Sequence, residues 1–301
     1  MENNKKDPID SIDLTDLFRI LWSERLIIIL STLSVSIIGV IYALSLPNIY
    51  TSKALLAPTQ QEGGVNNALR SYGGLATLAG INLPSSSSGN VTEAIETLSS
   101  FKFFKDSFLP NIFLPDLIAV DSWNSDTNNV NYDNSLYNID KNEWTSKDAI
   151  PSTQKAFKIF LGQISVSKDD STGFITISAN HQSPYKAQSW LETIIFSINQ
   201  TLREDQKKRA SLSIDYLYKQ IAQTSYAEIK QQLSSLIQQE TEKLMLIEAN
   251  EDYIFKVIDP PIAPEEKSGP FRSIICIMAA FLGGMLGILI AVTRYFVSKN
   301  I

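Results

Sequence analysis

The 301-residue chain carries a net charge of −6 and has only one cysteine and one histidine. Its acidic balance argues against nucleic acid as the main partner, because phosphate binding needs a basic surface. Cys276 cannot form a disulfide within the chain. Together with the distant His181, it is too little for a zinc cluster or a Cys–His nucleophile pair. No metal ligand or cofactor-binding residue is therefore predicted.

The first predicted element is an uncharged apolar stretch over 26–46, which reads LIIILSTLSVSIIGVIYALSL. A bilayer is crossed by about 20 apolar residues, so this stretch is predicted to be a transmembrane helix. The segment 9–22 before it has an apolar side that follows Asp13 and Asp16, a pair typical of a helix start. That segment is either a short helix at the membrane interface or a continuation of the membrane helix.

The next stretch predicts a strand, a loop and a helix. Residues 49–57 are rich in strand formers and end at Pro58. Residues 60–90 are rich in glycine and serine and predict a mobile loop with a short helix around 75–79. Two glycine pairs in this loop lack the Gly-Lys-Ser/Thr of a phosphate loop, so nucleotide binding is not predicted. Residues 91–108 predict a helix.

Residues 109–151 are rich in Asn, Asp and Ser and are predicted to be mostly loop, with Trp123 and Trp144 inside. These aromatic side chains either stack on sugar rings or pack as anchors under the long loops. A short helix over 155–161 is expected next. Alternating apolar residues at 164–167 and 174–179 then predict a β-hairpin.

The longest predicted element is a helix over about 185–250. It begins after Ser183-Pro184, which is favourable capping chemistry, and neither glycine nor proline occurs from 185 to 259. Its apolar residues recur at near-heptad spacing, so it is predicted to pack against a neighbouring subunit or to fold back as a hairpin. A break near 224–226 stays open. The seam comprises Ile214, Leu217, Ile221, Ile229, Leu233, Leu236, Leu244 and Ile247.

The chain returns to the membrane through a strand, a proline-rich segment and a second apolar stretch. Residues 253–258 predict a strand that neighbours 49–57 and the hairpin, and 274–293 predict a second transmembrane helix. Proline fixes its own φ and disfavours helix at the preceding residue, so the segment between them is predicted to be a stiff extended strut. Its prolines are Pro260, Pro261, Pro264 and Pro270.

Small residues recur at four-residue spacing in both predicted spans, as Gly39 and Ala43 in the first and Gly283 and Gly287 in the second. This spacing lets helix backbones approach closely in lipid. We hypothesise that the spans pack through these faces, either within a subunit or against a partner membrane protein. Alternatively, the glycines are incidental, since glycine is common in membrane helices.

Lysine and arginine near the span ends favour the terminal sides of the two spans, which predicts both termini in the cytoplasm. The terminal side carries Lys5, Lys6, Arg19, Arg25, Arg294 and Lys299, against Lys53, Lys267 and Arg272 on the loop side. The predicted organisation is a cytoplasmic segment 1–25, a span 26–46, an external domain 47–273, a span 274–293 and a cytoplasmic tail 294–301.

Several of these features together resemble the Wzz-type chain-length determinants, also called class 1 polysaccharide co-polymerases. The features are Asp13-Leu14, Leu17 and Leu21-Trp22 before the first span, the 50–57 strand, Gly73-Gly74-Leu75-Ala76 with Leu78-Ala79-Gly80, the proline-free helix, Asp259-Pro260-Pro261-Ile262-Ala263-Pro264, Pro270, and Gly283-Gly284 with Gly287. The proline-rich entry into a glycine-containing final span is the most specific of them.

The resemblance implies an α+β membrane protein of the Gram-negative inner membrane, with two transmembrane helices flanking a periplasmic α/β base that carries a very long helix. It also implies a homo-oligomeric ring that sets how many repeat units a Wzy-type polymerase adds to a lipid-linked glycan such as O antigen. Family members have no catalytic residue of their own, so the chain is not expected to be an enzyme.

Three other functions are weighed against this one. The first is a co-polymerase for capsule, exopolysaccharide or common antigen, and the second is a periplasmic adaptor of a secretion system. A glycan-modifying enzyme would need two carboxylates held in a rigid cleft. The adjacent pairs Asp169-Asp170 and Glu265-Glu266 fall in predicted loops, where carboxylates are usually just solvated.

Overall fold

The computed structural model describes residues 21–59, 86–250 and 252–299. They fall into two units, one made of the chain up to Asn48 and from Ser268 onward, the other of Ile49–Lys267. The interfacial segment predicted over 9–22, except for its last two residues, lies outside the described residues. So does most of the predicted loop, including the short helix expected around 75–79.

The elements of the described residues follow the predicted order. The helices are α1 (Arg25–Ser45), α2 (Ser86–Leu98), α3 (Leu114–Ile118), α4 (Thr153–Gln163), α5 (Pro184–Gln223), α6 (Ala227–Ala249) and α7 (Arg272–Lys299), with short helical turns at Phe101–Phe103, Phe104–Phe108, Leu109–Asn111 and Lys147–Ala149. The strands are β1 (Tyr50–Pro58), β2 (Val120–Asn124), β3 (Asn129–Tyr132), β4 (Tyr137–Asn138), β5 (Glu143–Trp144), β6 (Ile164–Lys168), β7 (Ile175–His181) and β8 (Phe255–Asp259).

The first unit is a pair of apolar helices, α1 and α7. Over Arg25–Ser45 and Arg272–Arg294, both are long and apolar enough to cross a membrane. Large apolar side chains such as Leu26, Ile38 and Leu289 are exposed on their outer surfaces. Such helices are apolar all round, as expected when lipid covers the outward face.

The second unit contains a four-stranded antiparallel sheet in the order β6-β7-β1-β8. The alternating sequence of β7 places every second side chain on the buried face, ending with His181. β1 pairs with the later hairpin on one side and with the last strand on the other. This arrangement matches the neighbours predicted for 49–57.

The core of this unit lies between the sheet and the helices α2, α4 and α5. In the first half of α5, one face is buried through Trp190 and the leucine and isoleucine side chains that follow it at helical spacing. Three aromatic rings fill the space beneath, with centroid distances of 5.1 Å for Phe104–Phe160 and 4.7 Å for Phe108–Phe160. Each large apolar side chain buried in this way contributes about 1.5–3 kcal/mol.

The helix predicted over about 185–250 is two helices, because the chain leaves helical geometry at Thr224–Tyr226. α6 folds back along α5, and Lys207 Nζ lies 2.9 Å from Glu248 Oε1. The structure therefore has the hairpin that the sequence left open. Folding back lets the apolar stripes of both helices bury each other, which offsets the helical hydrogen bonds lost at the break.

The apolar seam of this hairpin differs from the predicted one in α6. Ile237 is 9% exposed, whereas Leu236 is 46% exposed and Ile229 also faces outward. The seam steps from Leu233 to Ile237 and on to Ile247, rather than from Leu233 to Leu236. The three non-helical residues interrupt the heptad phase, so the register counted along α5 does not carry into α6.

The segment 109–151 contains more regular structure than predicted. It includes α3 and two small antiparallel ladders, β2–β3 and β4–β5. Asn128 and Asn142 adopt positive φ values of 55° and 54° at turns. Asparagine tolerates that conformation, so the asparagines read as loop markers are turn residues between short strands.

Candidate functional site

Gly39 and Ala43, the small residues predicted in the first span, lie on the face of α1 that is buried against α7. A Cβ on Gly39 would collide with the Cβ of Ala279. Ala43, one turn further along, is 1% exposed. The two residues therefore form a flat surface that lets α7 pack closely against α1.

Gly283 and Gly287 form the matching surface on α7. A Cβ on Gly283 would lie 2.9 Å from Thr32 Cα, and one on Gly287 would lie 2.8 Å from Ile28 Cα. Ser31 Oγ donates a hydrogen bond to the Gly283 carbonyl at 3.1 Å, which ties the helices together at the closest approach. A side chain at either glycine would force the backbones apart.

The structure thus places Gly39, Ala43, Gly283 and Gly287 in one contact between two helices of the same chain. Sequence reasoning had allowed this arrangement or a contact with another membrane protein. The geometry explains why small residues occur at these positions. Their part in chain-length control stays a prediction.

Arg272 is the first residue of α7 and lies beside the C-terminal end of α1. Its Nη2 donates a hydrogen bond to the carbonyl of Leu46, the C-terminal cap of α1, at 3.0 Å. Helix C-termini leave carbonyls without intrahelical partners and carry partial negative charge. A guanidinium at this position donates a hydrogen bond to such a carbonyl and also places a positive charge beside the partial negative charge. Sequence reasoning had placed Arg272 on the loop side of the second span but missed this contact.

The proline-rich segment after β8 has neither helix nor strand structure. Pro261 is buried and Pro260 is exposed, while Pro264 and Pro270 are half-buried. Ser52 Oγ donates a hydrogen bond to the carbonyl of Ile262 at 2.7 Å, which holds the segment against β1. The proposed role of these prolines as a strut stays a prediction.

The buried carboxylate of Asp116 links α3 to β3 and α5. Asp116 in α3 is almost fully buried, accepts a hydrogen bond from Tyr132 Oη at 2.6 Å and pairs with Lys186 Nζ at 2.8 Å. Burial, followed by the hydrogen bond to Asp116, raises the pKa of Tyr132 well above its usual range. The carboxylate is thus held by partners from β3 and α5.

His181 is buried beside this carboxylate and has its tautomer fixed by the backbone. Its Nδ1 accepts a hydrogen bond from the amide of Ser183 at 2.8 Å, so Nε2 carries the proton and donates to the Asp116 carbonyl at 3.0 Å. Burial lowers the pKa of His181, which favours the neutral ring. His181 continues the buried alternation of β7, a signal that the sequence contained but that was not used.

The two tryptophans in the segment 109–151 both make ring contacts. Trp144 packs against Tyr137 at 5.3 Å between centroids. Trp123 packs against Tyr50 at 5.3 Å and Tyr185 at 6.4 Å. Among residues 21–59, 86–250 and 252–299, no group of three or more His, Cys, Asp and Glu side chains is placed to hold a metal ion.

A family model matches the N-terminal part of the chain. Residues 10–105 match the model of the Wzz chain length determinant protein family. The resemblance inferred from the sequence is thereby confirmed, and the matched residues include α1, β1 and α2.

The chain is also similar to solved structures of co-polymerases. A full-length bacterial polysaccharide co-polymerase is 18% identical with a TM-score of 0.42, covering 95% of this chain and 99% of that one. A fragment of the Salmonella Typhimurium polysaccharide co-polymerase WzzB is 14% identical with a TM-score of 0.29, covering 74% of this chain and 100% of the fragment. A mutant of the Shigella flexneri lipopolysaccharide O-antigen chain-length regulator WzzBSF is 16% identical with a TM-score of 0.22, covering 73% of this chain and 100% of that one. No curated protein matches the chain significantly.

Proposed function

We propose that this protein is a polysaccharide co-polymerase of the bacterial inner membrane that sets the modal length of O antigen. The observation that carries the proposal is the match of residues 10–105 to the Wzz chain length determinant family. Both termini are proposed to lie in the cytoplasm, with 47–273 forming the periplasmic domain. The bias of lysine and arginine toward the terminal sides supports this orientation.

The sheet supports a two-pass arrangement. β1 and β8 are antiparallel neighbours, with Leu55 opposite Asp259. Because β8 runs toward the end where β1 begins, the chain enters from the first span and leaves toward the second at the same end of the sheet. The bond from Ser52 to Ile262 continues that pairing beyond β8.

The proposed partners are further copies of this chain in a ring, a Wzy-type polymerase and the lipid-linked glycan that it extends. The α5–α6 hairpin supports the first of these. Leu212, Tyr216 and Ile229 are exposed on its surface, where a second copy would bury them. In this proposal, the ring holds polymerase or growing chains until a size-dependent release.

No catalytic residue is proposed, so the protein acts as a regulator and the polymerase performs the chemistry. The buried polar side chains of Asp116 and Asn199 bond to backbone groups and neighbouring side chains in the fold. Changes in the hairpin and its loops are expected to shift modal length gradually. A point mutant that abolished all polymer would instead indicate an enzyme.

The lipopolysaccharide ladder tests the proposal. Deleting the gene is expected to turn a clustered length distribution into a random decay, and complementation is expected to restore the cluster. An unchanged ladder would show that O antigen is the wrong glycan. The same comparison on capsule, exopolysaccharide and common antigen then tests the second candidate, a co-polymerase for one of those polymers, and no change in any of them would favour a periplasmic adaptor.

A further inference from the structure

One end of the sheet in the second unit carries a group of aromatic and apolar side chains, of which two are half-buried and two are exposed. Tyr50 begins β1, and its ring packs edge-on against Trp123 of β2. Trp123 in turn contacts Tyr185, which begins α5 and is 53% exposed. Ile262 lies beside Ser52 at the same end and is 67% exposed. We call Tyr50, Trp123, Tyr185 and Ile262 the aromatic end.

The chain itself limits how far the aromatic end can be from the first span. Tyr50 is the fifth residue after Ser45, where α1 ends. Five residues of fully extended chain reach at most roughly 18 Å, and the headgroup and interfacial region takes up about 5–8 Å of that distance on each side of the bilayer. The aromatic end is therefore tied to the bilayer surface by a short tether.

The chemistry of these rings fits that location. Tryptophan and tyrosine collect at membrane–water interfaces because each combines an apolar ring with a polar atom that stays hydrated. The Trp123 Nε1–H has a hydrogen bond to Asn128 Oδ1 at 3.0 Å, so the indole can enter the interface without leaving its donor unpaired. Lys53, exposed on β1 near Tyr50, adds a group able to meet lipid phosphate.

A glycan would need free hydrogen-bonding side chains around the rings, and the amides here have other partners. Asn128 accepts from Trp123, Asn131 Nδ2 donates to Ser122 Oγ at 3.1 Å, and Gln182 Nε2 donates to the Val120 carbonyl at 3.3 Å. The polar groups nearest the rings thus hold the β2–β3 hairpin in place. This arrangement favours lipid over glycan as the occupant.

We propose that the aromatic end is a membrane-contacting surface, with Trp123, Tyr185 and Ile262 seated in the headgroup region of the bilayer. This proposal rests on the two membrane spans of the proposed function but not on any glycan or polymerase. Its consequence is that the second unit is held against the lipid by its own side chains as well as by the two chain connections.

Depth measurements on spin-labelled full-length protein test the proposal. The background is Cys276→Ser, which removes the single native thiol, and labels are attached through Tyr185→Cys and Ile262→Cys. The aqueous control is Tyr226→Cys at the break of the α5–α6 hairpin, where the side chain is 70% exposed. The bilayer control is Leu289→Cys, exposed on α7. Circular dichroism confirms that each variant keeps the native helix content.

The readout is collision of the label with oxygen, which concentrates in lipid, and with a nickel chelate, which stays in water. In nanodiscs of phosphatidylethanolamine and phosphatidylglycerol, labels at 185 and 262 are expected to meet nickel several-fold less often than the label at 226, and more often than the label at 289. Equal nickel access at 185, 262 and 226 would overturn the proposal.

A second experiment tests whether glycan, rather than lipid, occupies this surface. If the label at 185 meets nickel freely in nanodiscs and becomes protected only when delipidated polysaccharide is added, the surface binds glycan and the proposal is wrong. Neither result depends on the lipopolysaccharide ladder, because no polymerase is present. Failure of the membrane contact and failure of chain-length control are therefore distinguishable.

Discussion

Gly287 lies so close to α1 that a Cβ built on it would stand 2.8 Å from the Cα of Ile28, well inside van der Waals contact. Ser31 Oγ would be closer still and can rotate away, but the backbone of Ile28 cannot. The two spans are thus held at a separation that only glycine permits at this position. The neighbouring Gly284 differs, since its nearest contact would be Thr32 Oγ1 at 3.7 Å.

Gly287→Ala is expected to separate the spans and to lower the thermal unfolding temperature of the full-length protein in detergent, because overpacking costs about 1–3 kcal/mol. It is also expected to shift the modal length on the lipopolysaccharide ladder. Gly284→Ala is the matched control, with an ordinary contact, and should change neither. Equal effects of the two variants would mean that the close approach does not matter, and an unchanged ladder for Gly287→Ala would make the glycine spacing incidental to function.

Asn199 is expected to be among the costliest residues to replace in the second unit. It is buried in α5, donates to the Phe255 carbonyl at 3.0 Å, and accepts from the amides of Ile254 and Phe255. Asn199→Ala leaves these three backbone groups around the start of β8 unpaired, which should cost about 3 kcal/mol or more, since each buried unsatisfied group costs about 1–3 kcal/mol.

Chemical denaturation of the full-length protein in detergent measures this cost. Asn250→Ala provides the control, because Asn250 is exposed and donates to a helix carbonyl at 3.0 Å. That change should stay within about 0.5 kcal/mol. If Asn199→Ala lowers the free energy of unfolding no more than Asn250→Ala does, water replaces the lost bonds. The hydrogen bonds that Asn199 makes with Ile254 and Phe255 would then not be energetically important.

Much of the fold follows from local sequence signals. Strand-forming residues that end at Pro58 predicted β1, alternating side chains predicted the β6–β7 hairpin, and Ser183-Pro184 predicted where α5 begins. The two apolar stretches predicted the spans within a few residues of α1 and α7. These signals are local because each depends on residues within one element and on its own periodicity.

Other features depend on contacts between distant residues and could not be predicted in this way. Neither glycine nor proline marks the break at 224–226, which exists because α6 can bury its seam against α5. The pairing of Asp116 with Lys186 joins residues from separate elements, and neither residue carries a local signal. In the transmembrane pair, the small-residue spacing indicated a packing face, while the partner face became evident only from the structure.

The stability of the second unit is expected to fall below about pH 6.5, the ordinary value for histidine. The folded state lowers the pKa of His181 by burying it. The unfolded chain therefore binds a proton more readily, and stability that is present above pH 6.5 is lost progressively as the pH falls from that value through the lower folded pKa of His181. Protonation of Nδ1 would also displace the Ser183 amide.

Thermal unfolding between pH 7.5 and 5.5 checks this expectation. His181→Gln removes the only histidine of the chain and should flatten the response in this window. Asp169, whose pKa is lowered to about 2 by hydrogen bonds from Ser171, stays ionised throughout and should not contribute. The same pH dependence in wild type and His181→Gln would assign the effect to other groups.

Two adjacent residues of the α5–α6 hairpin differ in burial, so substituting each of them distinguishes an effect on folding from an effect on subunit assembly. Ile237 is 9% exposed in the seam, and Leu236 is 46% exposed on the outer face. A buried unpaired carboxylate is strongly unfavourable, so Ile237→Asp is expected to unfold the hairpin and lower the helix content seen by circular dichroism. Leu236→Asp should leave helix content and unfolding temperature unchanged.

If a second copy of the chain covers the outer face, Leu236→Asp places a charge in that interface and should weaken the oligomer. Light scattering of the detergent-solubilised protein measures the assembled mass, with Gln232→Asp as an exposed polar control on the same helix. Loss of mass in Leu236→Asp but not in Gln232→Asp, with both folded, supports assembly through this face. Unchanged mass in both variants would show that subunits meet elsewhere, because a carboxylate buried in a contact without a partner cannot be tolerated silently.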